Sequence, residues 1–189
     1  MPKSILEKLK QLNIYVQDYD IKTKVHNDSE AFVAGLYSMK IQLNAKVNPV
    51  LFHNFLCYPT DQMIHKGRLV LEKVEEDVKN LLDKKKDIIY FGGKLNPIAK
   101  CYAIKSKDTT LYNTLGAQLS LASLKDGLDH MGAVYSDSSQ GKKLIKVSLR
   151  ASLENFGICN VVASKYGGGG HERAASFFIS SDTFRQWLK

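Results

Sequence analysis

Four glycines in succession, Gly167 to Gly170, narrow what this chain can fold into more than any other feature. They stand in "KYGGGGHERAAS". Before them, "GICNVVASKYG" has the spacing of a helix stopped by glycine; after them, "AASFFIS" has a strand pattern. The block is therefore a loop joining a helix that ends near Tyr166 to a strand that starts near Ala174. Glycines there permit positive φ and let another group touch the main chain with no Cβ in the way. Consecutive N–H groups form an anion-binding nest, and His171 can donate a hydrogen bond to a phosphate oxygen. The small pair Ala174 and Ala175 lets the next strand lie close to the loop. Spacing alone leaves a plain connector with a surface histidine equally open, because a glycine-rich loop is a weak signal by itself.

The chain around this block divides into two parts. Residues 1–87 read as helical. "SILEKLKQL" suits a short helix, and "NIYVQDYDI" then alternates or extends, with acidic residues Asp18 and Asp20 at a strand end. "NDSEAFVAGLYSMKIQL" opens on capping candidates Asn27, Asp28 and Ser29, and places Phe32, Val33, Leu36, Met39 and Leu43 at helical spacing. "NPVLFHNFLCYP" is a short helix or a turn-rich segment. From Thr60 to Lys86, Ile64, Leu71, Val74, Val78, Leu81 and Leu82 form one stripe of a long amphipathic helix that ends in "DKKK".

Residues 88–189 alternate between strands and helices. "DIIYFGG" and "PIAKCYAIK" form a hairpin, and "LYNTLGAQLSLAS" a helix. "GAVYSD" and "KKLIKVSLRAS" are strands about a polar turn, and "SDTFRQWLK" is a terminal helix capped by Ser181 or Asp182. The expected class is α/β: a mixed sheet flanked by helices, preceded by a helical connector.

The totals fit a folded protein without staples. The 189 residues are 44% apolar and 24% charged. Cys57, Cys101 and Cys159 are far apart and form no C-x-x-C, which points to three buried, reduced thiols rather than a disulfide framework or zinc knuckle. The N-terminus has no apolar core of signal-peptide type, and no apolar run is long enough for a bilayer, so a cytoplasmic protein without a membrane partner is expected. Lys plus Arg outnumber Asp plus Glu by 27 to 19, a net charge of +8 that favours anionic partners such as nucleotides or nucleic acid. The basic residues are spread along the chain and mark no single footprint.

A second feature joins the glycines. In "VSLRAS", strand alternation turns Arg150 to the opposite face from Leu149, at a strand end. A strand-end arginine and a glycine-loop histidine in one small domain make a phosphate clamp, although a solvated arginine is the commoner fate.

"KVSLRAS", followed a helix later by "VASKYGGGGHERAAS", resembles the C-terminal DHH-associated domain of the DHH phosphoesterase superfamily. That superfamily includes nanoRNases, single-strand exonucleases, pAp phosphatases and cyclic-dinucleotide phosphodiesterases, and a related domain ends alanyl-tRNA synthetase. Its pattern is a Ser-Leu-Arg-Ser strand, a helix, then glycines, His, two variable residues and Ala-Ala-Gly. Five features in one order make the match specific. Upstream, "YVQDYDIKTKVHNDSEAFVAGL" looks like the connector that follows the catalytic domain, so the likeness spans residues 15–180, loosely at first and tightly after Val147. It implies that Arg150, Gly167, Gly168, Gly169, Gly170 and His171 hold the phosphates or terminal nucleotide of a substrate. Two positions depart from the pattern: Ser176 replaces the usual glycine, which bears on packing behind the loop, and Ala151 stands where serine is common.

In that superfamily hydrolysis belongs to a separate N-terminal domain, whose D-x-D-G and D-H-H motifs bind two metals that activate water. This chain carries neither. "LDHMG" at 128–132 has methionine where the second histidine would be and reads as a polar turn. His26, His53 and His65 have no ligand spacing with one another and fit surface or partly buried positions. No catalytic residue, metal ligand or cofactor is therefore expected here; Mn²⁺ or Mg²⁺ would enter only with a catalytic DHH domain supplied elsewhere. Three functions stay open: a module binding nucleotides or short single-stranded nucleic acid, the non-metal half of a split two-metal phosphodiesterase or phosphatase with the catalytic domain in trans, and a degenerate structural or homodimerisation module.

Overall fold

The computed structural model describes residues 3–21, 25–42, 44–84, 86–138, 143–152 and 158–188. The chain forms two compact units, Met1–Lys73 and Val74–Lys189, divided inside its fourth helix.

The first unit contains α1 (Lys3–Ile21), α2 (Ser29–Ser38), α3 (Leu51–Cys57) and the start of α4 (Thr60–Leu82). Its core gathers Phe32, Val33, Met63 and Ile64, with Leu12, Tyr15 and Tyr19 packed on them. "NIYVQDYDI" is therefore helix and not an extended segment. Leu12, Tyr15 and Tyr19 carry the helical period onward, and Tyr15 stacks on Phe32 at 5.2 Å between centroids. Burial of that face outweighs the strand preference of Ile, Tyr and Val. Asp18 is likewise not an exposed strand-end carboxylate. It is buried in α1 and accepts the backbone N–H of Val25 at 2.8 Å. The α2 helix begins after Asp28, whose carboxylate pairs with Arg68 at 2.6 Å instead of capping. It stops at Ser38, before Lys40 at φ 51°; Leu43 lies outside the described residues. The helices α2 and α4 touch through bare backbone. A methyl at Gly35 would overlap the Met63 carbonyl, and one at Gly67 the Ala31 carbonyl.

The second unit holds a six-stranded mixed sheet with helices on both faces. Its strands are β1 (Asp87–Phe91), β2 (Ala99–Lys105), β3 (Gly132–Asp137), β4 (Leu144–Arg150), β5 (Gly169–His171) and β6 (Ala174–Ser180), in the order β1-β2-β3-β4-β6-β5. Only β2–β3 is parallel, and a helical crossover joins that pair: a short 3₁₀ turn, then α5 (Tyr112–Lys125). Period-two alternation divides the core. On one face Val134 meets Leu115 and Leu119 of α5 and Val78 of α4. On the other, Val147, Leu149 and Phe177 meet α6 (Cys159–Lys165) and α7 (Ser181–Trp187). The α7 cap is Ser180, one residue before the expected position: its Oγ accepts the Thr183 N–H at 3.1 Å. Cys101 and Cys159 are buried, but Cys57 is exposed, because α3 turns it outward beside His53. Lys85 of "DKKK" and residues 139–142 of the polar turn lie outside the described residues.

Candidate functional site

The glycine block is not a loop. Gly167 alone ends α6, in the left-handed region at φ +72°, while the N–H of Gly168 returns to the Ala163 carbonyl at 2.9 Å. Gly169 to His171 then form β5, an edge strand paired antiparallel with β6 across the two-residue turn Glu172–Arg173. Most of the bareness serves this hairpin. A methyl at Gly168 would overlap Phe177 Cβ and the Ser176 carbonyl, and one at Gly170, at φ +144°, would overlap the Ala174 carbonyl. Ala175 lies close behind, as its small size allows. Gly169 is different: a methyl there would meet nothing within 4 Å. Ser176, the departure from the pattern, pairs with Gly169 on one side and Ser148 on the other, in ordinary register.

The register brings Arg150 and His171 together. Arg150 pairs with Gly132 on β3 and Ala174 on β6, and Ala174 pairs with His171 on β5. Directly opposed residues of antiparallel strands project to the same face. Gly132, Arg150, Ala174 and His171 therefore form one row on one face, with only a methyl between the two long side chains. Their backbones are two strand spacings apart, about 10 Å. The face is the one that carries α5, since a methyl at Gly132 would press on Leu119 Cβ and Ser120 N, both at 2.6 Å.

Arg150 is held from three directions. Its stem crosses α5 at Gly116, where a methyl would sit 2.6 Å from Cγ. Its Nε donates to Asn113 Oδ1 at 2.9 Å, and Nη1 donates to the Leu149 carbonyl at 2.8 Å. Nη2 has no partner among the described residues. Burial lowers the guanidinium below its usual value, yet an arginine remains the cation at neutral pH. Burial pushes the nearby Cys159 thiol up to about 12, against the pull of Arg150, so it is neutral and no nucleophile. His171 is exposed on the edge strand.

The hairpin turn is anchored where Arg150 leaves the sheet. Ala151 N–H donates to the Arg173 carbonyl at 2.9 Å, Cys159 N–H to the Glu172 carbonyl at 3.1 Å, and Arg173 Nη2 to the Ser152 carbonyl at 3.0 Å. Behind it, His130 Nε2 meets Ser152 Oγ at 3.0 Å, and Ser152 N–H donates to Ser120 Oγ at 3.3 Å. His130, read from "LDHMG" as part of a polar turn, is thus a buried anchor of the strand end.

Asn113, Gly116, Ser120 and Ser152 were not singled out by sequence. Gly116 had a usable signal, an isolated glycine inside a helical pattern, which marks close approach. Asn113 had none, because only the fold sets it beside Arg150. Together these groups offer a fixed cation, an exposed imidazole and an open backbone position, which suits an anion. Among the described residues no group of three or more His, Cys, Asp or Glu is arranged to hold a metal ion, and no helix is long and apolar enough to cross a membrane.

The second unit defines an α/β chain built on a mixed sheet. No family model and no curated protein matches it. Among solved structures, a pGpG-specific phosphodiesterase, PggH from Vibrio cholerae, is similar at a TM-score of 0.41 and 16% identity, over 76% of this chain and 47% of that one. The chain spans about half the length of that structure.

Proposed function

We propose that the second unit binds phosphate groups of nucleotides or short single-stranded nucleic acid, in the manner of a DHH-associated substrate domain. One observation carries this: Arg150 and His171, far apart in sequence, share one row of one sheet face with Ala174 between them. The arginine is preset by Asn113 and Gly116, so its fork loses little freedom on binding a phosphate. The Gly169 backbone is open for approach. In this reading the chain recognises the phosphate and supplies no hydrolytic metal; Mn²⁺ or Mg²⁺ chemistry belongs to a catalytic domain provided separately.

Fluorescence anisotropy of a short 5′-phosphorylated, 3′-labelled oligonucleotide tests it. Arg150→Ala and His171→Ala should each weaken binding at least tenfold, with the probe left intact. Equal, salt-sensitive binding by all three proteins would show only the nonspecific pull of the +8 charge.

A second reading, the non-metal half of a two-subunit phosphoesterase, is favoured by the first unit. Leu9, Leu12, Val16, Phe52, Phe55 and Leu56 line a purely apolar cleft of about 140 Å³, the kind of patch that marks a protein contact. Analytical ultracentrifugation of the chain with a separately expressed two-metal DHH domain tests this, and absence of a complex removes it.

A further inference from the structure

The α5 face of the sheet does not end at the Arg150 row. On β4, Ser148 and Lys146 follow Arg150 on the same face; on β6, Ser176 and Phe178 follow Ala174. Ser148 pairs with Ser176, and Lys146 with Phe178. Two steps of two residues place the Lys146–Phe178 row about 13–14 Å from the Arg150–Ala174 row. The sheet residues between them are Ser148, which is buried, Ser176, which is half-buried, and Gly169, which is exposed, all small. The clusters that bury α5, α6 and α7 include no residue of β6 from this face.

At the far end lies a cleft of about 430 Å³, lined by Lys107, Tyr112, Ser136, Asp137, Lys146 and Phe178 among others. Its wall is rigid: the Tyr112 hydroxyl donates to the Ser106 carbonyl at 3.1 Å and meets Ser136 Oγ at 3.0 Å. Phe178 is 39% exposed on a strand paired with β4 along its whole length. Asp137, the one carboxylate lining the cleft, is bound by Lys105 at 2.8 Å and is also held down by the charge of Lys107, while Lys146 stands outside any ion pair among the described residues. An exposed aromatic ring on a paired strand beside two lysines is the composition of a single-strand stacking platform.

We propose that this cleft is a second subsite. It takes the base of a neighbouring nucleotide on Phe178 and the intervening phosphate at Lys146 and Lys107, so the ligand is a single-stranded oligonucleotide of two or more residues rather than a mononucleotide. The inference rests on phosphate binding at Arg150 and His171.

The test is isothermal titration of the full chain with a nucleoside 5′-monophosphate, and with 5′-phosphorylated di- and tetranucleotides. Phe178→Ala should weaken the di- and tetranucleotide roughly tenfold and leave the monophosphate unchanged, and Phe178→Tyr should restore most of the loss. Lys146→Gln should lower the salt slope for the dinucleotide by about 0.7. These are surface positions, and unchanged circular dichroism confirms the variants are folded. Two outcomes overturn the proposal while the Arg150 site stands: Phe178→Ala weakening mono- and dinucleotide alike, or changing neither while both still bind. Absence of binding by the wild type to all three ligands overturns the first site as well.

Discussion

The two units use bare glycine backbone in opposite ways. In the first, Gly35 and Gly67 bring two helices into contact, and each faces a carbonyl of the other helix. In the second, Gly168 and Gly170 let an edge strand lie on β6, but Gly169 between them faces open space. Every glycine of the helix crossing is therefore explained by the protein's own packing. One glycine of the hairpin is not, and it stands beside the Arg150–His171 row. Bareness marks a site only where the fold itself does not require it.

Substitutions can break that contrast. The largest effect should come from Gly67→Ala. On an open helix this change would stabilise by about 1 kcal/mol; here the overlap with the Ala31 carbonyl should destabilise the first unit by about 3 kcal/mol in urea denaturation. Gly168→Ala should cost the second unit about 2 kcal/mol, since Phe177 Cβ occupies the space. Gly116→Ala should act differently: by displacing the Arg150 stem it should reduce oligonucleotide affinity about tenfold, more than its modest effect on stability predicts. Gly169→Ala should leave stability within about 0.5 kcal/mol and still weaken the oligonucleotide several-fold. Loss of stability with no change in affinity would erase the distinction between Gly169 and its neighbours.

The last effect appears only at high pH. Burial raises the Cys159 thiol from 9.0 to about 12, so the unfolded chain releases this proton first. The stability this gives is fully present below pH 9 and is lost as pH rises from 9 toward 12. Cys159→Ala should make that limb of a stability–pH curve shallower for the second unit, without removing it because buried Cys101 and Tyr135 are also raised, and leave the first unit's curve unchanged.

These contrasts also show what could be read from the chain. The α4 stripe and the strands of the second unit other than β5 were legible because their periods, 3.6 and 2, are strong and uninterrupted; β5, being mostly glycine, carries no such period. The helical run through Tyr15 and Tyr19 was not, because its residues favour strands locally and only the contact with Phe32 decides the outcome. Arg150 and His171 were each legible as residues. Their shared row was not, since it depends on a two-residue hairpin turn, Glu172–Arg173, that has none of the glycine or asparagine that usually signals one. The supports, Asn113 and the His130–Ser152 contact, are set by tertiary packing alone.

The central claim is that one row of one sheet face is an anion site. Heteronuclear NMR of ¹⁵N-labelled protein, titrated with a 5′-phosphorylated dinucleotide, tests it most directly. The account predicts saturable shifts concentrated at the Gly169, Gly170 and His171 amides and at Arg150 Nε, all absent in Arg150→Ala. Shifts scattered over surface lysines, unchanged in that variant, would contradict it.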